Sequence, residues 1–348
     1  MKNFKTLFGF VFIASILFTN CSDDDTVTDD DPTNLPCANY NKELLTLTTA
    51  FDGNPNAVID YNSFIINNLD PLLPNSQGSF TTTSNLSFEL PTNGSIYNEA
   101  SNLHGILVSR AGKYFTFNTS TGVGQESVVP SDIASPVLVG NLGYVIEVSN
   151  FGYGTSGVAD QFKVRPFNIT DGTLGAALPI SAANTTFNNN SFFTVETMSM
   201  ATDAVDKLFF LSGTNLVTVN KTSNIASQID LYPSFSMLDY VRFFGLEYSE
   251  SLGLIAIMDM ASTNTRDLVK INPSTNTVVS LISIPADINN EFYSTTYSEC
   301  KKTYYLTTLQ NGSSPTKTLY FEFNLTTNTI NNSQIIADYV FGIDLIPG

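Results

Sequence analysis

The sequence predicts an all-β protein, specifically a six-bladed β-propeller that its own C-terminal strand closes. Composition is the first observation, because the chain is rich in Asn, Thr, Ser, Phe and Tyr, residues that favour pleated strands and turns over helices. The second observation is a turn motif that recurs every 50 to 52 residues. About fifty residues suffice for one four-stranded blade, so the repeat predicts a ring of blades.

The repeated motif is an apolar-any-apolar-Asn segment, followed by Thr, Ser or Asp and then by Gly or Asn. Its alternating half predicts a strand with one buried face, and the Asn side chain is expected to accept hydrogen bonds from the backbone of the turn. The final Gly or Asn accepts the positive φ that closes a hairpin. The copies at Asn168 and Asn67 are imperfect. The motif asparagines are Asn67, Asn118, Asn168, Asn220, Asn272 and Asn324.

A second marker runs in phase with the first. The segment from Phe244 to Glu247, Phe-Gly-Leu-Glu, is echoed by Phe-Gly-Ile-Asp from Phe341 to Asp344, where no further strands follow. We therefore expect the C-terminal strand to complete the first blade. A seven-bladed ring is the main alternative, because residues 68–101 are long and poorly patterned, whereas a β-sandwich would not repeat at this step. Blade five is assigned strands at 244–249, 253–259, 267–272 and 277–284.

In this register, residues 44–348 resemble the quinoprotein-like and Tyr-Val-Thr-Asn-type repeat propellers, whose blades carry an apolar-Asp/Asn-x-x-Thr-Gly turn. The resemblance implies the fold and leaves the function open, because propellers host unrelated chemistries. Quinone chemistry is not expected to carry over, since the chain has no Trp on which a quinone would stack.

The N-terminus predicts a lipoprotein. Lys2 and Lys5 precede a twelve-residue apolar run that is too short to span a bilayer, so residues 1–20 are interpreted as a signal peptide. Cys21 and the Ser-Asp-Asp-Asp that follows it resemble the surface-export signal of Bacteroidetes lipoproteins. This resemblance implies a lipid on Cys21, anchoring in the outer membrane and exposure at the cell surface. Residues 21–42 are then an acidic disordered tether and residues 43–348 the propeller.

Charge and histidine content exclude several functions. The chain has 15 Lys and Arg against 32 Asp and Glu, a net charge of −17, which argues against nucleic acid as a partner and leaves the lipid as the only membrane contact. Its single histidine, His104, is expected to be an exposed turn residue and cannot supply a histidine-dependent hydrolase mechanism. No catalytic residue is therefore assigned, and a monomer is expected.

Two cysteines remain once Cys21 is lipidated. Cys37 and Cys300 form an even pair in an oxidising compartment, so a disulfide between them is predicted, with two free thiols as the alternative.

The sequence favours a non-enzymatic binding module for a glycan or a protein, without a cofactor. Long aromatic loops on the face opposite the Asn turns suit such a partner, because Tyr and Phe bury large areas at little rotamer cost. The candidate binding residues are Tyr153, Phe187, Phe235, Tyr240, Arg242, Asp287, Glu291 and Tyr293.

The alternative is a calcium-dependent, lactonase-like hydrolase. Glu196, Glu247 and Asp344 fall on inner strands, where their carboxylates would face the central channel and hold Ca²⁺.

Overall fold

The computed structural model describes residues 43–49, 58–65, 74–81, 94–109, 111–148, 162–180, 198–232, 241–285, 288–310 and 317–346. The chain divides into two units, Met1–Ala38 and Asn39–Gly348, and all the described residues belong to the second. Cys21, Cys37, the signal peptide and the whole of the predicted tether lie outside them.

The described residues contain 23 strands and one 3-10 turn, Glu99–Ser101. None of their helical segments is long and apolar enough to cross a membrane. The strands are β1 Glu43–Thr49, β2 Val58–Ile65, β3 Pro74–Thr81, β4 Ser95–Asn98, β5 Leu103–Val108, β6 Lys113–Asn118, β7 Val123–Val128, β8 Ile133–Val139, β9 Leu142–Val148, β10 Phe162–Phe167, β11 Ser199–Thr202, β12 Lys207–Ser212, β13 Asn215–Asn220, β14 Ile225–Asp230, β15 Val241–Ser249, β16 Gly253–Met260, β17 Thr265–Asn272, β18 Thr277–Ser283, β19 Ile288–Ser298, β20 Thr303–Gln310, β21 Thr318–Asn324, β22 Thr329–Ile336 and β23 Tyr339–Ile346.

These strands form an all-β propeller with five four-stranded blades. The blades are β23-β1-β2-β3, β4-β5-β6-β7, β11-β12-β13-β14, β15-β16-β17-β18 and β19-β20-β21-β22. All strand pairs are antiparallel. Each pair joins strands that are consecutive in the chain, except the closing pair of β23 and β1. The third repeat forms only a three-stranded sheet, β8-β9-β10. The prediction of six four-stranded blades, and its seven-bladed alternative, is therefore wrong.

The sheet of the third repeat has no fourth strand because the segment that follows β10 does not form a regular strand. After the turn that follows β10, Leu174 makes a single bridge to Phe167, and Leu178 N–H donates to the Val164 carbonyl at 2.9 Å. The segment from 173 to 180 is Thr-Leu-Gly-Ala-Ala-Leu-Pro-Ile, and Gly, Ala and Pro are all depleted in strands. The described chain thus runs beside β10 without forming a fourth strand.

The expected closure is confirmed. The last strand, β23, pairs with β1 in antiparallel register, with Asp344 opposite Leu45 and Val340 opposite Thr48. The first and last described strands therefore share one blade, which joins the two ends of the described chain. The strand assignment for blade five is also confirmed, within a few residues at each end.

The Asn turns form as the repeat predicts, apart from the copy at Asn67, which lies outside the described residues. In every described copy the Asn side-chain oxygen accepts a hydrogen bond from a backbone N–H two or three residues further on, at 2.7 to 3.3 Å. The residue that closes each turn has a positive φ, between 51° and 77°. These closing residues are Gly122, Gly172, Asn224, Asn276 and Asn328.

The core lies between neighbouring sheets, where large side chains from successive blades interlock. In the cluster between the fifth and sixth sheets, the rings of Phe244 and Tyr293 lie 4.8 Å apart at their centroids. Between the second and third sheets, Tyr114 meets Phe167 edge to face at 4.8 Å, and its hydroxyl donates to the Ile169 carbonyl at 2.8 Å. These contacts hold each sheet against the next around the channel.

We predict that the closing residue of the last Asn turn tolerates Gly but not Ala. Asn328 has a φ of 55°, a conformation that costs an ordinary L-residue about 1–2 kcal/mol and costs Gly nothing. Asn328→Ala should lower the melting temperature by roughly 2–4 °C per kcal/mol lost, while Asn328→Gly should leave it nearly unchanged. Thr326→Ala, in the same turn, is the control for loss of a side chain. Equal melting temperatures for the Ala and Gly variants would contradict this account of the turn.

Candidate functional site

The inner strands of all six sheets surround a cavity of about 220 Å³. Its lining comes mostly from the C-terminal halves of these strands, toward the end of the channel where an inner strand turns back into the second strand of its sheet. In an up-and-down blade that turn lies on the same side as the turn between the third and fourth strands. The cavity therefore lies at the Asn-turn end of the channel. Its lining residues are Ser95, Ile96, Tyr97, Pro136, Val137, Leu138, Met200, Ala201, Thr202, Glu247, Tyr248, Thr295, Thr296 and Asp344.

Three inner strands carry the same β-bulge, and each bulge delivers one lining residue to the cavity. In β15 the register shifts between Phe244 and Glu247, so two residues face one on the neighbouring strand. In β23 the same shift precedes Asp344, and in β8 it precedes Val137. A bulge bends its strand and re-aims the side chain that follows it. Glu247, Asp344 and Val137 thus occupy matching positions around the channel.

Glycine makes the two acidic bulges possible. Gly245 and Gly342 both have a φ of +64°, in the left-handed region that other residues rarely adopt. A Cβ on Gly245 would also collide with the hydroxyl of Tyr304, which donates a 2.6 Å hydrogen bond to the Gly245 carbonyl. A Cβ on Gly342 would collide with Ile106. The Phe-Gly-apolar-acid marker in the sequence is therefore the signature of this bulge.

Serines on the neighbouring sheets satisfy the backbone that the bulges release. Leu246 N–H donates to Ser199 Oγ at 3.0 Å, and the equivalent Ile343 N–H donates to Ser294 Oγ at 2.9 Å. Each bond joins the inner strands of two adjacent sheets and is buried. A buried N–H without an acceptor would cost about 1–3 kcal/mol, so these serines stabilise both the bulge and the ring.

Glu247 is half-buried and lines the cavity, and its carboxyl accepts a 2.8 Å hydrogen bond from Thr295 Oγ1. Burial raises the pKa of Glu247 to about 8, and repulsion from Asp344 adds to this increase. Burial likewise raises the pKa of Asp344 to about 7, against the opposing effect of hydrogen bonds from the Leu345 backbone and Ser95. Two carboxyl groups with pKa values near neutrality therefore share one cavity.

His104 lies next to Asp344, contrary to the sequence-based expectation of an exposed turn residue. It belongs to β5, it is buried, and its Nε2 is 3.9 Å from Asp344 Oδ2. Burial lowers the pKa of His104 to about 3, although a hydrogen bond to the Gly342 backbone opposes this effect. The imidazole is therefore neutral at physiological pH and gives Asp344 no compensating positive charge.

The structure brings together two of the three residues predicted to hold calcium. Glu247 and Asp344 line one cavity, while Glu196 lies outside the described residues. Within the described ranges, no group of three or more His, Cys, Asp or Glu side chains is arranged to hold a metal ion.

Six of the eight predicted binding residues have side chains beyond the described part of the chain. Tyr153, Phe187, Phe235, Tyr240 and Asp287 lie outside the described residues, and of Glu291 only the backbone, in β19, is described.

The remaining two predicted binding residues are described, and they differ in their exposure to solvent. Tyr293 is only 2% exposed and packs in the cluster between the fifth and sixth sheets. Its assignment to an exposed binding loop was therefore wrong, because it points into the sheet interface from within β19 and not from the preceding loop. Arg242 is partly exposed on β15, opposite Asp259 of β16.

Cys300 lies in the turn between β19 and β20 and is disulfide-bonded. Its predicted partner, Cys37, lies outside the described residues, so that pairing stays a prediction.

The sequence analysis missed the hydroxyl groups around the carboxyl pair. Thr295, Thr296, Thr202 and Ser95 are ordinary strand residues in a Thr- and Ser-rich chain, and nothing in their spacing sets them apart. His104 could have been recognised, because it begins a run of apolar residues, Gly-Ile-Leu-Val, that is typical of a buried second strand.

The fold and its cavity define the class of this protein, a β-propeller with a polar cavity in its channel. No protein-family model matches the chain, and no curated protein matches it by sequence. Among solved structures, the nidogen/laminin complex aligns with a TM-score of 0.49 and 10% identity over 86% of this chain and 97% of that chain. A hypothetical selenium-binding protein from Sulfolobus tokodaii aligns with a TM-score of 0.49 and 8% identity, over 81% and 72% of the two chains.

Hydrazine synthase from Kuenenia stuttgartiensis aligns with a TM-score of 0.44 and 12% identity over 71% of this chain. This chain covers 66% of the hydrazine synthase chain, slightly less than two thirds. Similarity at this level carries no information about function, which has to be inferred from the site.

We predict that Glu247→Gln removes a pH dependence from the stability of the protein. The folded state keeps the Glu247 proton up to about pH 8, whereas the carboxyl ordinarily releases it near 4.5. Between these values folding takes up a proton, so the free energy of unfolding falls as the pH rises. The variant should therefore melt a few degrees above the wild type at about pH 9 and at nearly the same temperature at about pH 4.

Glu250→Gln is the matched control, because Glu250 is an exposed acid in the turn directly after β15. Its melting temperature should follow the wild type across the same pH range. If Glu247→Gln also follows the wild type, folding does not raise the pKa of Glu247.

Proposed function

We propose that this chain is a lipid-anchored binding protein, displayed on the outer membrane, whose propeller takes a small polar ligand into its central cavity. The observation that carries the proposal is the cavity itself, where the inner strands of five of the six sheets present carboxyl or hydroxyl groups to one space. The role is non-enzymatic, and the expected ligand is a glycan or the end of one.

The lining of the cavity suits a ligand with both polar and apolar surfaces. Hydroxyl and carboxyl groups supply directional hydrogen bonds, and Val137, Leu138 and Met200 form an apolar wall. A volume of about 220 Å³ is below the ~300–1,000 Å³ that is usual for drug-sized ligands. The cavity therefore fits a small molecule or the terminal unit of a larger one.

A glycan or protein partner at the opposite, aromatic loop face is a second proposed surface. Arg242 favours it, because this partly exposed cation lies near the start of β15, at the loop end of the blade. Its cross-strand neighbour Asp259 is paired with Arg266 at 3.1 Å.

A calcium-dependent hydrolase is the second candidate function. The observation in its favour is that Glu247 and Asp344 do meet in one cavity. Calcium takes six to eight oxygen ligands, so this function also needs Glu196 or ligand oxygens from the substrate.

The proposed anchor depends on Cys21, and we predict that Cys21→Ser releases the protein from the membrane. The variant loses its site for thioether-linked acyl chains, each buried CH₂ of which contributes about 0.8 kcal/mol to membrane binding. Fractionation of expressing cells should move the protein from the outer-membrane fraction to the soluble fraction. Ser22→Ala is the control and should stay in the membrane. Retention of Cys21→Ser in the membrane would overturn the lipoprotein assignment.

The binding function is tested by a thermal-shift screen of the mature chain with monosaccharides, disaccharides and calcium. At least one sugar should raise the melting temperature, because a ligand at 100 times its Kd stabilises the folded state by about 2.7 kcal/mol. Val137→Phe, which fills the cavity, should abolish the shift.

Val279→Phe, on the exposed outer strand β18, is the matched control for adding an aromatic ring and should keep the shift. A shift with calcium alone, together with hydrolysis of a lactone, would favour the enzyme. Sugar binding that survives in Val137→Phe would exclude the cavity as the site.

A further inference from the structure

The central cavity is lined by acids and, among the described residues, by no base. Its two ionisable carboxyl groups, Glu247 and Asp344, face hydroxyls and aliphatic side chains. The nearest basic side chain described, that of His104, is a neutral imidazole. The cavity therefore holds potential negative charge that nothing in the described lining neutralises.

We propose that the cavity binds a protonated amine carried on a small hydroxylated ring, the chemistry of an amino sugar. This inference rests on the proposed ligand site and names the class of ligand that the site takes. The ring can be free or can be the terminal residue of a chain, since both present the same amine and hydroxyl groups.

An ammonium group matches the carboxyl pair. It carries three N–H donors, and hydrogen bonds between ionised partners are roughly twice as strong as those between neutral ones. Glu247 has one oxygen bonded to Thr295, which leaves acceptor capacity on its carboxylate for a ligand. An ammonium between Glu247 and Asp344 would also remove the repulsion between them.

The rest of the lining matches a hydroxylated ring. Ser95, Thr202 and Thr296 supply hydroxyls that both donate and accept hydrogen bonds. Two tyrosines, Tyr97 and Tyr248, also line the cavity, and aromatic faces attract cations and the C–H surface of a ring. The cavity volume of about 220 Å³ limits the bound part to about one such ring.

A bare divalent cation fits less well than an ammonium. Calcium requires six to eight oxygen ligands, and among the described residues no third acid joins Glu247 and Asp344. An ammonium is satisfied by two carboxylates and one hydroxyl.

The other titratable groups around the pair are neutral and do not supply the missing charge. Burial raises the pKa of Tyr97, next to Asp344, and of Tyr293 and Tyr304, next to Glu247, so all three remain phenols. His104 completes the surroundings as an uncharged imidazole. Binding of an ammonium would favour the ionised carboxyls, and the protons that they hold near neutral pH would pass to the buffer.

The experiment is isothermal titration calorimetry on the mature chain with Cys21→Ser, which keeps it soluble. Glucosamine, glucose and N-acetylglucosamine share one ring and differ in the substituent at a single position, which carries a charge only in glucosamine. Glucosamine should bind at least about tenfold more tightly than the two neutral sugars. Its binding heat should change with the ionisation enthalpy of the buffer, because protons are released. A β-1,4-linked glucosamine dimer distinguishes a free ring from a terminal one.

Glu247→Gln and Asp344→Asn should each weaken glucosamine binding at least about tenfold, while Glu250→Gln should leave it unchanged. A further titration uses the mature Cys21→Ser chain without either carboxamide substitution at about pH 5, where the amine stays charged and the carboxyls are protonated. The affinity for glucosamine should fall at this pH. If a carboxamide variant fails to fold, this titration alone tests whether the amine meets the carboxyl pair.

The outcomes separate this inference from the proposed function. If glucose and glucosamine bind equally and Val137→Phe abolishes both, the cavity is a ligand site but the amine preference is wrong. If glucosamine binding is unchanged in both carboxamide variants and at about pH 5, the amine does not meet this pair. If none of the sugars binds, the inference fails, and a null result in the wider screen removes the proposed function as well.

Discussion

The bulges of the inner strands are the constraint on which the channel depends. An ordinary strand places successive side chains on alternate faces, so a regular inner strand would turn the position of Glu247 or Asp344 to the other face. One extra residue before each acid shifts this alternation, so that the acid faces the channel. The extra residue needs a left-handed backbone, which Gly245 and Gly342 supply, and it frees an N–H that must find an acceptor.

That acceptor ties the bulge to the assembly of the ring. Ser199 and Ser294 belong to neighbouring sheets, so each bulge is satisfied only when two sheets are correctly placed against each other. The same backbone distortion thus aims a carboxyl at the channel and joins adjacent blades. A loss of packing between sheets would leave a buried N–H without its acceptor and would misplace the acid at the same time.

Local chemistry explains what the sequence could predict. The Asn turns were predictable because a side-chain oxygen and a positive-φ residue act within a few positions of each other, as at Asn272 and Asn276. The Phe-Gly marker was visible, but its structural meaning was not, since the bulge depends on a serine 47 to 49 residues away.

Burial and strand regularity were harder to predict. His104 was expected to be exposed because its partners, the Gly342 backbone and Asp344, lie about 240 residues further along the chain. The three-stranded sheet was missed because the turn at Asn168 forms normally. The failure begins only after it, in a segment whose Gly, Ala and Pro content weakens pairing with β10. The tether and most of the predicted loop residues lie outside the described ranges, so their predicted roles rest on the sequence.

The matching position in β8 shows that the fold does not require an acid at the bulge. Val137 occupies there the place that Glu247 and Asp344 hold in β15 and β23, and it lines the same cavity. Enclosing a carboxyl costs free energy unless a partner compensates it, and the raised pKa values of both acids express that cost. An aliphatic side chain would serve the packing at lower cost. The acidic pair is therefore better explained by what enters the cavity than by the stability of the propeller.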